Sequence, residues 1–547
     1  MLNKICLYWH TLRHLRFSQF YERLKFNLYS PKPDISPPPA LRSKLGILTA
    51  GIQTSPSLIG PEEFSFLGEA GSLGVYGWDG HGREKLWRYN QHYFNDLIAA
   101  SASLRYAWHL NLLENWVELN PPAFGVGWEP YPTSLRIVNW VKWSLSGGTL
   151  STSCIQSLAV QVRYLSRRLE WHLLGNHILA NAKAMVFAGL FFQGDEANYW
   201  LEKGLRILER ELPEQVLQDG GHFERSPMYH SVVLEDLLDL ISASQLWPGC
   251  IDPSVVNGWR ILAEKMLEWL SKMTHPDGQI SLFNDAAFNI AASPGDLSAY
   301  ARSLAIEVDG QLAQSGLMVY ELEQSGYIQL ISKNAVAILD VAPVGPDYLP
   351  GHGHADTLSF ELSLFSQRII VNGGTSLYGL SPERLRQRQT INHSTVEVGG
   401  LSSSEVWGGF RVARRAKPIG LQIRAAVDRI LVGCSHNGYA RLKGAPMHHR
   451  EWDMGLKHLK VIDTVTGGKH KSIARFIFHP SIHIENTDFN DWILRTPLGD
   501  QVFLKVLNGS SSLESVTYAP EFGVNLRTKC LAVELIMGQS QVKFDWS

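Results

Sequence analysis

The side chains best suited to chemistry fall in short polar islands. Gly351-His352-Gly353-His354-Ala355-Asp356 sets three ionisable groups at every second position. Gly351 and Gly353 let the backbone bend and leave room for a close approach. Earlier in the chain come Trp87-Arg-Tyr89-Asn90-Gln-His92-Tyr-Phe94 with Gly127-Trp128-Glu129-Pro-Tyr-Pro-Thr-Ser-Leu-Arg136, then Gly175-Asn176-His177 with Asn181. Asp219-Gly-Gly-His222-Phe-Glu224-Arg225-Ser-Pro-Met-Tyr229-His230 and Gln389-Thr-Ile-Asn392-His393-Ser-Thr-Val396 complete the set. A single His or Tyr is more often structural than catalytic, and Asn176 has an ordinary reading as a helix N-cap. Several islands of Asn, His, Tyr and Arg together are harder to explain that way, and they could line one cleft.

Tyrosine and histidine can take and return protons, while Asn, His or Arg can neutralise a carboxylate. That set suits abstraction of a proton α to a carboxylate, the first step of β-elimination at a uronic acid. The C–H acid is very weak, so carboxylate neutralisation and stabilisation of the enolate-like intermediate must supply much of the rate. Hydrolysis needs two carboxylates across the scissile bond instead, and Asp219, Glu224, Glu129 and Asp285 are available for it. A non-catalytic glycan-binding protein is the third reading. His352-x-His354 with His393 also raises a metal: imidazoles at i and i+2 can share a face, and a third ligand from a neighbouring strand would make a zinc site. The alternative is hydrogen-bonded histidines.

The elements that must position these groups follow from apolar periodicity. Leu358, Phe360, Leu362 and Leu364 alternate with Ser359, Glu361 and Ser363, the pattern of a half-buried strand. If that strand runs back to the glycines, His352, His354 and Asp356 share its core-facing side. From about Trp87 to Ile306 the period is helical. Leu201, Leu205, Leu208 and Leu212 form one stripe, and Leu234, Leu237, Leu238 and Ile241 another. Further stripes near 97–118, 134–146, 155–174, 177–192 and 258–272 suggest antiparallel helical hairpins. Beyond residue 317 the period becomes two. Strands are expected at Tyr327–Ser332, Ala335–Val341, Leu358–Leu364, Arg368–Val371, Thr395–Val398, Arg429–Cys434, Leu459–Thr464, Ile473–Phe478 and Leu531–Met537, with Asn-Gly turns at 437–438 and 508–509. The predicted architecture is multidomain: an N-terminal (α/α) toroid at 86–316 followed by an antiparallel β-sandwich at 317–547. Residues 1–85 are read as a basic amphipathic helix, a Pro-rich linker and a lead-in that resists assignment.

Composition narrows the partners. The 547 residues carry 50 Lys+Arg against 52 Asp+Glu, so no global charge drives the chain onto nucleic acid or membrane. Two basic clusters, Arg384/Arg386/Arg388 and Arg411/Arg414/Arg415/Lys417, have an ordinary reading as solvated faces. With 17 Trp and 18 Tyr the chain could stack sugar rings, although most Trp fills cores. The 5 cysteines form no CxxC pair, fitting neither a disulfide framework nor a thiolate zinc site. The N-terminus lacks a signal-peptide pattern and no stretch approaches a transmembrane span, which favours a cytoplasmic protein.

Gly175-Asn176-His177, Phe223-Glu-Arg-Ser-Pro-Met-Tyr229-His, His352-Gly-His354-Ala-Asp356 leading to Phe360, and Asn392-His393-Ser-Thr-Val resemble the heparinase II/III-like polysaccharide lyases. The resemblance runs from about Trp87 through the C-terminal β region. It implies a toroid joined to antiparallel sheets, an active cleft between them, and β-elimination on an acidic polysaccharide with no cofactor required. By position, Asn176 would neutralise the substrate carboxylate with help from His177. Tyr229 would be base or acid, and His352 its partner. Tyr89, Asn90, His92, Trp128, Glu129, Arg136, Glu224, Arg225 and Arg388 are the candidate substrate-binding residues. His354 and His393 match positions that bind a structural metal in some members. The third, acidic position is Asn372 here, a poorer zinc ligand. Degradative relatives are often exported, which allows a periplasmic or envelope location. The basic N-terminus is closer to a subgroup found with bacterial surface-polysaccharide synthesis, where trimming or remodelling is conceivable.

Overall fold

A computed structural model describes residues 2–49, 51–80, 82–307 and 316–547. Its helical half runs through Lys85–Tyr93, Tyr106–Leu119, Pro130–Leu145, Thr152–Arg167, Gly175–Phe191, Asp195–Gln215, Pro227–Ser244, Pro253–Lys272 and Pro294–Ser303. Local sequence explains several starts. Ser226, Asp252 and Ser293 each accept a hydrogen bond from an amide of the first turn, and each is followed by a proline at the first helical position. Helix Gly175–Phe191 is apolar nearly all round and buried along almost its whole length, the signature of a helix inside the layer. It packs closely on Asp195–Gln215 because Gly189 and Gly204 face across the contact. A Cβ on Gly189 would sit 2.6 Å from the Leu201 amide nitrogen.

The β half contains three large antiparallel sheets. A five-stranded meander runs Met318–Leu322, Tyr327–Ser332, Ala335–Asp340, Phe360–Leu364 and Gln367–Ile370. An eight-stranded sheet has Met447–Gly455 and His458–Thr466 near its middle, and a four-stranded sheet centres on Leu526–Glu534 and Ser472–Ile477. Their inner faces share one apolar core around Phe360, Trp452, Phe476 and Phe544. The helical-then-antiparallel order agrees with the sequence expectation.

Four expectations are corrected. The strand after the glycines begins at Phe360, because Leu358 has φ +63° and breaks it, so residues 351–359 are loop and the parity argument for His352 fails. That strand is also buried on both faces, not one. Glu361 is tolerated there because Arg368 Nη1 donates to it at 3.1 Å and the Leu282 amide at 2.9 Å. Asn508-Gly509 is no hairpin: it carries the chain from the eight-stranded to the four-stranded sheet. Finally, the described residues of 1–85 hold two long helices, Leu2–Leu12 and Phe17–Leu28, a small sheet of Leu58–Gly60, Glu63–Phe66 and Glu69–Ser72, and a single helical turn, Leu73–Tyr76.

Candidate active site

Helix Pro227–Ser244 begins under the Ser226 cap, which places Tyr229 in its first turn. The preceding Arg225 sits in the left-handed region at φ +59° and turns the chain into that cap. The segment 280–290 of the helical half reaches into the β half, where the Asp285 amide donates to the His352 carbonyl at 3.1 Å and the Phe288 amide to the Pro520 carbonyl at 2.7 Å. Asn284 completes the join, donating to the Arg225 carbonyl at 2.9 Å and accepting from the His354 amide at 3.0 Å. Asp356 accepts from the Asn284 amide at 3.3 Å, so it orients this segment and does not face the cleft.

Around that join lies a compact polar constellation. Asp285 is fully buried. Its Oδ2 accepts from His352 Nδ1 at 2.9 Å and from Arg384 Nη2 at 2.6 Å, while Oδ1 accepts from His354 Nε2 at 2.8 Å. Burial alone would raise this carboxyl, but the Arg384 guanidinium and the two imidazoles outweigh it and hold Asp285 well below the usual carboxylate range. With Asp285 ionised, the proton of His352 belongs on Nδ1, which leaves Nε2 for chemistry. The Tyr229 ring lies on that imidazole, centroids 4.0 Å apart, and its hydroxyl meets the Tyr378 hydroxyl at 2.8 Å. Burial, with Tyr378 and Asp285 nearby, raises the Tyr229 phenol well above its ordinary value, so it is a proton-bearing group at neutral pH.

The facing wall is the start of helix Gly175–Phe191. Gly175 has φ +58°, and a Cβ there would lie 2.8 Å from Glu224 Oε1. Glu224 bridges the walls: it accepts from the Asn176 backbone, and its Oε2 is 3.7 Å from His352 Nε2. Its Oε1 is buried with no hydrogen-bond partner among the described residues. Burial raises its carboxyl despite opposition from His352 and His177. His177 Nδ1 pairs with Glu170 Oε1 at 3.2 Å. Burial works against the imidazolium, but Glu170 and, more weakly, Glu224 overcome it and lift His177 above its ordinary value. A row of rings leads away from this wall: His177 to Tyr131 at 4.5 Å, Tyr131 to Tyr93 at 6.0 Å, Tyr93 to Tyr89 at 6.4 Å. Asn176 lies beside the Tyr131 hydroxyl. Tyr89 hydrogen-bonds Glu129, which also pairs with Lys85 at 2.8 Å.

The structure thus brings together Asn176, His177, Glu224, Tyr229 and His352, with Tyr89 and Glu129 further along the ring row. It gives the other candidates structural partners within the fold. His92, Trp128 and Arg136 are buried in the toroid: Trp116 Nε1 donates to His92 Nδ1 at 3.0 Å, Trp128 packs against Trp116 at 5.9 Å, and Arg136 donates to Gln161 at 2.9 Å. Asn90 bonds back to the Leu86 carbonyl at 2.9 Å within its own helix. Arg225 donates to the Ser325 carbonyl at 2.9 Å, tying helix to sheet. Arg388 is fully buried and donates to the carbonyls of Gly353 and Gly409 at 2.7 and 3.1 Å, shaping the His352 loop from behind. The reading of the first basic cluster as a solvated face fails for Arg384 and Arg388, which lie one turn apart on the buried side of helix Pro382–Arg388. Most of the large tryptophans, including Trp87, Trp116, Trp140, Trp200, Trp269 and Trp452, are core filling.

Tyr378, Glu170 and Tyr131 are site residues that sequence reasoning missed, while Arg384 entered it only as part of a basic cluster and Asp285 only as a hydrolytic carboxylate. The four-residue spacing of Arg384 and Arg388 was the one usable signal.

The residues proposed for a metal do not fit zinc. His354 and His393 have ring centroids 5.2 Å apart, and His354 Nδ1 and His393 Nε2 each lack a hydrogen-bond partner among the described residues. Asn372 already uses its oxygen on His393 Nδ1 at 3.2 Å. Asp285 is committed to Arg384 and the two imidazoles, and no group of three His, Cys, Asp or Glu among the described residues could hold a metal ion. Two neutral imidazoles and an engaged amide fall short of a structural zinc donor set.

Comparison with known proteins agrees with this layout. Residues 106–302 match the family described as Heparinase II/III N-terminus, and residues 316–546 match Heparinase II/III-like, C-terminal. A heparin-sulfate lyase of Bacteroides stercoris is 25% identical over 41% of this chain and 35% of its own length. One of Pedobacter heparinus is 26% identical over 45% of this chain and 38% of its own. The chain therefore spans little more than a third of these curated relatives. A crystal structure of heparinase III superposes with TM-score 0.66 at 16% identity, covering 84% of this chain and 76% of that one, which establishes a shared fold. The chain belongs to the heparinase II/III-like family.

Proposed function

We propose that this heparinase II/III-like protein is a polysaccharide lyase that cleaves an acidic, uronate-containing glycan by β-elimination. The observation that carries the reading is the close packing of the Tyr229 ring on His352 at 4.0 Å, with His352 held by Asp285 and with Asn176 and His177 on the opposite wall. In this mechanism the substrate carboxylate is received at Asn176 and His177, whose charge Glu170 sustains. His352 Nε2 takes the proton from C5. The C5–H electrons form the C4=C5 double bond, the C4–O4 bond breaks, and Tyr229 gives its proton to the departing O4. Positioning dominates because the reacting groups sit on rigid helix and loop termini braced across both halves. The relatives act, by their names, on heparin-sulfate, so that polymer is the first to test.

Hydrolysis is the weaker alternative. Asp285 is neutralised by Arg384, and Asp219 is spent on the Ser325 amide and hydroxyl at 2.7 and 2.8 Å, so neither is free to act across a bond.

The test is a panel of uronate polysaccharides followed by ultraviolet absorbance and product mass. A lyase produces absorbing, unsaturated ends that are lost in Tyr229→Phe and His352→Ala at unchanged melting temperature. Reducing ends without absorbance would overturn the proposal.

A further inference from the structure

The two helices ahead of the toroid turn their apolar faces the wrong way for a soluble protein. In Leu2–Leu12, Ile5, Tyr8, Trp9 and Leu12 recur at i, i+3, i+4 and i+7; in Phe17–Leu28, Phe17, Phe20, Tyr21, Leu24 and Leu28 continue that spacing. Such a stripe normally packs on a core. Tyr8, at the edge of the first stripe, packs on Trp407 at 4.8 Å, but the rest is turned to solvent: Trp9 is 67% exposed, Phe17 84%, Leu24 60% and Leu28 78%.

The opposite faces hold both helices on the body of the protein. Thr11 Oγ1 accepts from Trp407 Nε1 at 3.0 Å in the β half. Gln19, buried, donates to the Tyr348 carbonyl at 3.2 Å, and Phe26 packs on His172 of the helical half at 4.1 Å. The pair is therefore fixed with its stripes outward, not folded back for want of a partner.

Charge indicates what covers the stripes. Lys4 and Arg13 fall roughly 80–100° to either side of the first stripe, and Arg23 and Lys25 flank the second in the same way, at about 3.6 residues per turn. All four are exposed. Residues 1–30 hold five Lys and Arg against one acidic residue, while the whole chain is balanced at 50 to 52. An apolar stripe bordered on both sides by cations on long aliphatic stems fits the plane between acyl chains and negative headgroups. Trp9 and Tyr21 suit that boundary. A second copy of this chain would bring the same cations together across a symmetry axis, which opposes association. No helix among the described residues is long and apolar enough to cross a membrane, so the contact is in plane.

We propose that the N-terminal helix pair docks the protein, in plane, on an anionic lipid surface. The proposal is independent of the reading of the cleft.

Flotation of the full chain with vesicles of phosphatidylcholine, alone or mixed with phosphatidylglycerol, tests it. The protein floats with the mixed vesicles and stays behind with phosphatidylcholine alone. Trp9→Ser with Leu24→Ser, both at exposed positions, weakens flotation at least about tenfold without moving the melting temperature. Lys4→Glu with Arg23→Glu does the same, and raised salt weakens the wild type. The proposal is overturned if the wild type does not float, or if it binds both vesicles equally and the charge variant matches it. It is also overturned if light scattering shows a dimer, dispersed by Trp9→Ser with Leu24→Ser, in a protein that ignores vesicles.

Discussion

Asp285 reaches out of the helical half to accept the Nδ1 proton of His352, which belongs to the β half, at 2.9 Å. The same carboxylate accepts from Arg384 Nη2 at 2.6 Å. One buried charge thereby sets the tautomer of the proposed proton-transfer residue and joins the two domains at the cleft. Its replacement should be felt in stability and in chemistry together. Asp285→Asn leaves Arg384 buried without a counter-charge, and an uncompensated buried charge costs about 3–5 kcal/mol. Denaturant unfolding reads that loss. Adding Arg384→Met should recover a large part of it while activity stays low; a double variant as unstable as the single would show that the pair is not the cause.

Tyr229→Phe removes one hydroxyl from a site whose backbone it does not support. The contact with Tyr378 is worth about 1 kcal/mol, but loss of a general acid costs roughly 10²–10⁴-fold in kcat. The absorbance assay should show that fall at a KM changed only a few-fold. Full turnover in the variant would take Tyr229 out of the proton path.

His177 predicts a pH signature. Its pKa is raised above 6.5, so the charged form and the stability it brings are fully present below the unfolded value and lost as pH rises through the higher folded value. Affinity for a carboxylate substrate should weaken over the same window, read as KM rising above pH 6.5. Glu170→Gln removes the charge that outweighs burial and should move the rise to lower pH. A KM profile indifferent to Glu170→Gln would separate His177 from carboxylate binding.

Arg136 and Arg388 should behave as structural residues. Each side chain is buried and donates to protein acceptors, Arg136 to Gln161 at 2.9 Å and Arg388 to the Gly353 carbonyl at 2.7 Å. Truncation to Ala strands those acceptors and should cost at least about 2 kcal/mol. For Arg136→Ala, in which the cleft loop is untouched, KM should hold; a raised KM at unchanged stability would return it to the substrate.

The donor set at His354, His393 and Asn372 predicts indifference to chelators. Melting temperature should be the same before and after treatment with EDTA, and metal analysis should find no stoichiometric zinc. Asn372→Asp supplies the missing carboxylate, so zinc-dependent stabilisation is expected only in that variant.

The sequence by itself determined the order of the architecture and the wall of the cleft that carries local signals. Helical periodicity in 201–212 and 234–241 and alternation in 429–434 are near-neighbour properties, imposed by burying one face more than the other, so they survive reading in one dimension. The cap does too: Ser226-Pro227 marks the helix start that puts Tyr229 in the first turn. Polar motifs identified Asn176, His177, Tyr229 and His352 by type.

Only tertiary structure decided which groups meet. Asp285 and His352 stand 67 positions apart, and His352 and Arg384 lie on separate segments. No local period encodes such contacts, because they depend on how two domains dock. The alternation at 358–364 predicted a strand with one wet face, yet Ser359, Glu361 and Ser363 are as buried as the leucines. The β half closes over both sides, and buried partners replace water around the polar set. The same reason explains the arginines: Arg384 and Arg388 look solvated in a charged run, but a carboxylate and backbone carbonyls from elsewhere in the chain replace their hydration. The first thirty residues are the converse case. Their period promised an inward face, and the folded chain leaves most of that face turned outward.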